Sequence, residues 1–377
     1  MATRLLIALR RVAAPLFLLA ASTVVALLAA EGGLRLIRPQ VFPTTPAGLF
    51  TERPDGFRVL TAGFEGVISR AEFKAPVSIS EFGVRGPGPG PRRPNTFRIL
   101  ALGDSQTFGF GVLDHEPYPV RLQQLLAEHR PDLDIQVVNA GVPGYGTVDE
   151  LVWLRDRGAE VDPDLILVQF LSVNDFKINR ESSHAAGLLA GSPAVGVHEA
   201  AAADTGDRGA GSLPAAVERP GISAWVVDRV HALKRRSHLA TLVSETGSYI
   251  GMRLGLLGGV AAMWGEDFTA EDAERTRSLM VLLAREAQAM GVPVIILYTT
   301  GKAQVIAGSG DPLPSAAVIA AAAREAGVPW LDMAAELRAR EDRQYLYFIR
   351  DGHWTAAGHQ AVAEVVAERL SELGVLP

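Results

Sequence analysis

Past residue 95 the sequence alternates short β-like runs with longer helical ones, a pattern that leaves few folds open. Strands are expected at Phe97–Leu102, Ile135–Asn139, Leu165–Leu171, Val292–Tyr298 and Val328–Leu331. Helices are expected at Pro119–His129, Ala270–Met290, Ala316–Ala326 and Ala356–Leu373, the last with Val362, Val365, Val366 and Leu370 at helical spacing. A further helix is expected from Thr147, where Thr147 and Glu150 match the S/T-x-x-E capping box. Strands alternating with helices imply a parallel sheet covered on both faces. The expected fold is therefore α/β, a three-layer α/β/α flavodoxin-like domain with a parallel sheet.

The flanks read differently. Arg4, Arg10 and Arg11 precede an uncharged, mostly apolar run from Val12 to Ala30 that is about long enough to span a thin bilayer as a helix. Flanking arginines favour a cytoplasmic N-terminus, which leaves the rest of the chain extracytoplasmic, in the periplasm or outside the cell. A cleaved signal peptide shares the charged start and apolar middle, but Leu28 makes a poor cleavage site before Glu31. Between Arg35 and Asn95 lie short β-like stretches such as Phe57–Leu60 and Val77–Ser80, closed by the Gly/Pro-rich Gly83–Pro94. The expected organisation is a cytoplasmic stub and transmembrane anchor at 1–37, an extracytoplasmic linker or β-rich segment at 38–95, and the α/β domain at 96–377. A low-complexity insertion rich in Ala, Gly, Ser and Pro interrupts that domain at about 180–221. Regular structure resumes around Ile222–Glu245, and the apolar Leu254–Trp264 is too short to cross a membrane.

Composition excludes several classes. With 36 basic and 42 acidic residues the net charge is −6, and no basic cluster offers a surface for phosphates, so nucleic acid is not an expected partner. The chain has no cysteine, hence no disulfide, thiolate metal site or cysteine nucleophile. No Walker loop, dinucleotide fingerprint or metal-ligand spacing appears, so neither cofactor nor metal is expected.

In open parallel sheets ligands bind beyond the carboxyl ends of the strands. Three strands end there in polar or glycine-rich turns: Gly103-Asp104-Ser105-Gln106-Thr107, Asn139 to Gly146, and Ser172-Val173-Asn174-Asp175. Near the C-terminus Asp351-Gly352-His353-Trp354 adds an acid and a base just before the last helix. Serine is a weak nucleophile until a neighbouring base takes its proton, and that base needs an acid to fix its tautomer. Preorganised donors for an oxyanion are available from Ser105 N–H, Gly144 N–H and the Asn174 amide.

These four segments resemble the ordered blocks of the SGNH hydrolases, also called GDSL lipases and acylhydrolases, over roughly Phe97–Phe176 and Tyr347–Leu373. The resemblance implies a serine ester hydrolase with Ser105 as nucleophile, His353 as base, and Ser105, Gly144 and Asn174 forming the oxyanion hole. Gly144 is preferred to Gly141 because it stands five residues after Asn139, as in the family's second block. The stretch Ile79–Gly86 resembles a segment that precedes the catalytic domain in membrane-anchored bacterial members. The implied substrate is an acylated small molecule, glycan or lipid at the envelope, with the membrane a partner through the N-terminal helix.

Two positions depart from the family pattern. Gln106 follows the serine where Leu or Phe is usual, and Arg350 occupies the place of the acid in D-x-x-H. The nearest acid is Asp351, giving a D-x-H-W block like that of alginate-acetylation-type relatives and pointing to polysaccharide O-acyl chemistry. Gly352 would let Asp351 and His353 both face inward from a non-helical loop; otherwise a backbone carbonyl or a distant acid orients His353 and Asp351 caps the last helix. An O-acyltransferase with a sugar hydroxyl as acceptor needs the same site, and a non-catalytic glycan-binding module needs only the fold. Asp104 is expected to hold the nucleophile turn, Trp354 to pack in the core, and His359 to be a surface or packing histidine.

Overall fold

The computed structural model describes residues 2–190, 236–253, 268–307 and 313–376. In chain order the first elements are α1 (Ala2–Ile37), β1 (Phe50–Glu52), β2 (Arg58–Leu60), β3 (Glu65–Arg70), β4 (Phe73–Ser78), β5 (Thr96–Gly103), α2 (Ser105–Phe108), α3 (Tyr118–His129), β6 (Asp134–Gly141), α4 (Thr147–Val161) and β7 (Leu165–Leu171). They are followed by α5 (Asp175–Glu181), α6 (Ser183–Ala190), α7 (His238–Arg253), α8 (Ala270–Ala289), β8 (Val294–Thr299), α9 (Lys302–Ala307), α10 (Pro314–Ala326), β9 (Trp330–Asp332), α11 (Met333–Ala339) and α12 (Ala356–Glu372).

The described residues before Thr44 and those at 236–253 form one compact unit, and the others form a second. In the first, Pro15–Ile37 of α1 is long and apolar enough to cross a membrane. The Glu31 carboxylate accepts hydrogen bonds from Ser237 Oγ, His238 N–H and Leu239 N–H at 2.9, 3.1 and 2.8 Å. It thereby satisfies the start of α7, whose first amides have no partner within the helix.

The second unit is built on a five-stranded parallel sheet in the order β6-β5-β7-β8-β9. Every residue of β5, β7 and β8 is buried, as a parallel sheet covered on both faces requires. Side-chain alternation divides the core in two. Leu100, Leu102, Ile166, Val168 and Ile296 pack with Leu151, Leu279 and Ile319 of α4, α8 and α10. Ile99, Ala101, Leu165, Leu167 and Ile295 pack with Leu122, Met333 and Val366 of α3, α11 and α12. The three layers predicted from the alternation are present.

Ahead of β5, two antiparallel hairpins, β1-β2 and β3-β4, contribute Leu60, Ile68 and Val77 to the first of these cores, and Val84 in the stretch after them joins it. Strands β8 and β9 begin later than expected because Pro293 and Pro329, which lack an N–H, stand before them. The capping box also needs correction. Gly146 is the cap of α4, and Asp149 rather than Glu150 returns its carboxylate to Gly146 N–H at 3.0 Å. Thr147 points inward to Asp175 instead, at 3.2 Å. Residues 180–190, expected to open the insertion, complete α5 and form α6. The rest of that insertion, the start of the Ile222–Glu245 stretch and all of Leu254–Trp264 lie outside the described residues.

Candidate active site

The chain reverses direction across the sheet at β5, with β6 on one side and β7 on the other, which opens a crevice at their carboxyl ends. The turns after these three strands carry the expected residues. Ser105 is the first residue of α2, and Asp104 caps the helix by accepting from Gln106 N–H at 2.8 Å. Only glycine fits before it, because a Cβ on Gly103 would stand 2.1 Å from Thr107 Oγ1 and 2.7 Å from Gln169 Oε1.

Ser105 Oγ lies 2.8 Å from His353 Nε2. On the other side of the ring, His353 Nδ1 is hydrogen bonded to Asp351 Oδ1. An ionised carboxylate only accepts, so the proton sits on Nδ1 and leaves Nε2 free to accept from the serine. The same Asp351 oxygen accepts from His353 N–H at 3.0 Å. This two-residue turn is how a D-x-H spacing brings acid to base, and Gly352 is not among the glycines with left-handed φ. The helix cap is Thr355, which accepts from Gly358 N–H at 3.2 Å. Burial pulls the Asp351 carboxyl upward, but its bonds with His353 and the charges of His353 and Arg70 outweigh this and hold it below the usual range.

The Asn174 amide donates to Asp104 Oδ2 at 2.8 Å, which spends one of its two N–H bonds and fixes the direction of the other. Asp104 therefore ties the nucleophile turn to the turn after β7. Burial is the largest influence on its carboxyl and raises it above the ordinary range, against the bonds from Gln106 and Asn174. Gly144 has φ +85° and, like Ser105, an N–H without an acceptor among the described residues. Gly141 differs: its N–H bonds to Asn139 Oδ1 at 3.1 Å, and a Cβ there would meet Phe108 N at 2.2 Å. Gly141 thus serves close packing, and the free amide is that of Gly144.

Several neighbours carry no signal of their own in the sequence. Gln106 donates to Gly352 O at 3.2 Å and accepts from Trp354 N–H at 3.1 Å, gripping the backbone on both sides of His353. Phe110 lies against the His353 ring with centroids 4.7 Å apart. Arg58 of β2 donates to Pro143 O at 2.8 Å, beside Gly144. Trp354 and His359 are buried and meet edge to face. His359 Nδ1 accepts from Tyr118 N–H at 3.1 Å, and burial pushes the ring down to about 3, so it is a neutral packing group. No group of three or more His, Cys, Asp or Glu residues suited to a metal occurs among the described residues.

A serine at the switch point of a parallel sheet, hydrogen bonded to a histidine from the last loop, is the arrangement an α/β hydrolase would use for acyl transfer. Residues 101–361 match the model of the GDSL-like Lipase/Acylhydrolase family, and the chain belongs to that family. Among solved structures it is similar to a lipase/acylhydrolase from Enterococcus faecalis, at 13% identity over 73% of this chain and 96% of that one, with a TM-score of 0.40. It is also similar to the acetylxylan esterase Axe2 of Geobacillus stearothermophilus (16%, 74% and 94%, 0.37) and to a two-domain esterase active on acetylated mannans (14%, 74% and 49%, 0.42). No curated protein matches the sequence.

Proposed function

We propose that this carboxylic ester hydrolase works through an acyl-Ser105 intermediate on O-acyl esters of envelope glycans or lipids. The observation that carries the reading is the hydrogen-bonded series Ser105 Oγ, His353 Nε2, His353 Nδ1, Asp351 Oδ1. His353 takes the Ser105 proton as Oγ attacks the ester carbonyl carbon. Negative charge moves to the carbonyl oxygen, where Ser105 N–H, Gly144 N–H and the remaining Asn174 N–H stabilise it. As the carbonyl re-forms, the C–O bond to the alcohol breaks and the alcohol leaves with the proton from His353. Water, deprotonated by the same histidine, then attacks the acyl-serine, and carboxylate and free Ser105 result. Asp351 stays ionised throughout and stabilises the transient imidazolium.

The D-x-H-W block favours a glycan as the alcohol, and the acetylated glycans named for two of the similar esterases support acetyl as the acyl group. Helix α1 would hold the chain at the membrane, with its arginines on the cytoplasmic side. The test is fluorophosphonate labelling and a panel of esters from acetylated xylan to long-chain p-nitrophenyl esters. Ser105 should be labelled, short acyl groups should be released, and Ser105→Ala should abolish both. Turnover by Ser105→Ala within threefold of wild type rejects the reading, because losing a nucleophile removes several orders of magnitude.

A further inference from the structure

The loop that supplies Asp351 and His353 is anchored at its two ends by the buried Tyr347 and Trp354, but apolar burial does not hold its middle. Ile349 is 69% exposed and its neighbour Arg350 is also exposed. Its backbone is instead held by charges. From the turn of the β3-β4 hairpin, Glu72 Oε1 accepts from Ile349 N–H at 2.8 Å, and Oε2 accepts from Arg350 N–H at 2.5 Å and Asp351 N–H at 3.0 Å. Three successive amides, the last belonging to Asp351 itself, thus converge on one carboxylate. Lys302 holds the opposite polarity, donating to the carbonyls of Phe348 and Ile349 at 2.7 Å each. The same hairpin turn sets Phe73 against Phe348 at 4.8 Å and edge-on to Phe110 at 5.9 Å, and Phe110 lies against His353. Arg70 covers the Phe110 ring at 5.0 Å. All of these hairpin residues precede the family-matched region.

We infer that Glu72 is a positioning residue for the Asp351–His353 pair, an inference that rests on the acyl-transfer reading for its kinetic consequence and on the loop geometry alone for its structural one. A carboxylate is suited to this because both oxygens only accept, and charge-assisted bonds to N–H groups are short and directional. The D-x-H spacing lacks the residue that gives the usual block its helical turn. The turn that Asp351 closes on His353 and the Gln106 clamp fix the far side of this loop, and Glu72 fixes the three amides that lead into Asp351. Displacing Asp351 by about 1 Å is enough to lower a rate by about a hundredfold.

The variant that tests this is Glu72→Gln in the full-length protein, since it keeps size and packing but offers one accepting oxygen and places an amide against the N–H groups. Rates are taken per Ser105 titrated by fluorophosphonate, so loss of folded protein does not count. The expected result is kcat about tenfold lower with KM within threefold. In the Asp351→Asn background the same change should matter less than threefold, because groups acting as a unit are not additive. The far-downfield proton resonance of His353 Nδ1–H, assigned by its absence in Asp351→Asn, should shift or broaden in Glu72→Gln. An unchanged resonance, kcat within threefold of wild type, or an equal effect in both backgrounds overturns the inference. Wild-type protein that neither labels nor hydrolyses esters refutes only the esterase reading, and the resonance still decides the role of Glu72.

Discussion

Replacing Asp351 by Asn changes one oxygen to an amide and leaves shape almost untouched, so its effect reports on charge and proton position alone. In the structure a single carboxylate oxygen accepts from both His353 Nδ1–H and His353 N–H. An asparagine must choose which end to present. With its oxygen there, both bonds survive but the charge that stabilises the imidazolium is gone. With its nitrogen there, it donates to Nδ1, the ring proton moves to Nε2, and the base faces Ser105 with a proton already in place. The latter arrangement also gives up the 3.0 Å bond to the His353 amide, about 1 kcal/mol. The wrong tautomer lowers kcat by about four orders of magnitude, or about 5.5 kcal/mol of transition-state stabilisation. We expect that loss in p-nitrophenyl acetate turnover, with a melting temperature only a few degrees lower. Because the Asp351 carboxyl is held below its usual range, its contribution is present above the ordinary carboxylate pKa of about 4 and fades only as pH falls below that. Wild-type activity therefore has no Asp351 limb above about pH 5. A variant that melts lower yet turns over within tenfold of wild type makes Asp351 a loop brace and refutes the reasoning.

Other outcomes follow from the same geometry. Asn174→Ala should lower kcat by about a hundredfold with KM little changed, since an oxyanion exists only near the transition state; a change confined to KM would make Asn174 a substrate-binding residue. Gln106→Leu, which restores the residue type usual after the serine, should lower kcat by about tenfold, because Gly352 O and Trp354 N–H lose their partner. Unchanged turnover would show that this clamp is dispensable. Glu150 is buried with neither oxygen hydrogen bonded, and burial, followed by the charges of Asp175, Asp104 and Asp149, raises its carboxyl well above the usual range. The stability it contributes is present below the unfolded pKa of about 4.3 and is lost as pH rises through the raised folded value. Glu150→Gln should therefore raise the melting temperature at pH 8 and not at pH 4, and equal melting shifts at the two pH values would contradict this.

The sheet was legible because strands buried on both faces, such as Leu165–Leu171, read as continuous apolar runs with little else they can become. The site segments were legible for a related reason: each is a short contiguous block, three at strand ends and one just before the last helix, so order along the chain stands in for proximity in space. What escaped was information held between distant segments. Thr147 and Glu150 have the spacing of a capping box, but both are drawn into the interior, and the neighbouring Asp149 closes the cap instead. The glycine in Asp351-Gly352-His353 suggested unusual backbone freedom, yet the turn is closed by the aspartate itself accepting from the His353 amide. Gln106 looked like a variation in a motif, and its two bonds reach a loop 246 and 248 residues further on.

The bond between Ser105 and His353 spans 248 positions, and this separation orders events in time. A chain made from its N-terminus forward presents the Glu72 hairpin first, the nucleophile turn soon after, and the acid and base only when nearly all of the sheet has emerged. Until the last loop docks, Ser105 is an ordinary alcohol, and long-range closure of this kind is among the slower events in folding. On the proposed acyl-serine mechanism, hydrolytic power therefore arrives only once this last loop has docked. On the proposed mechanism, a chain whose last loop has not yet docked has no base beside Ser105 and leaves the acylated molecules around it intact.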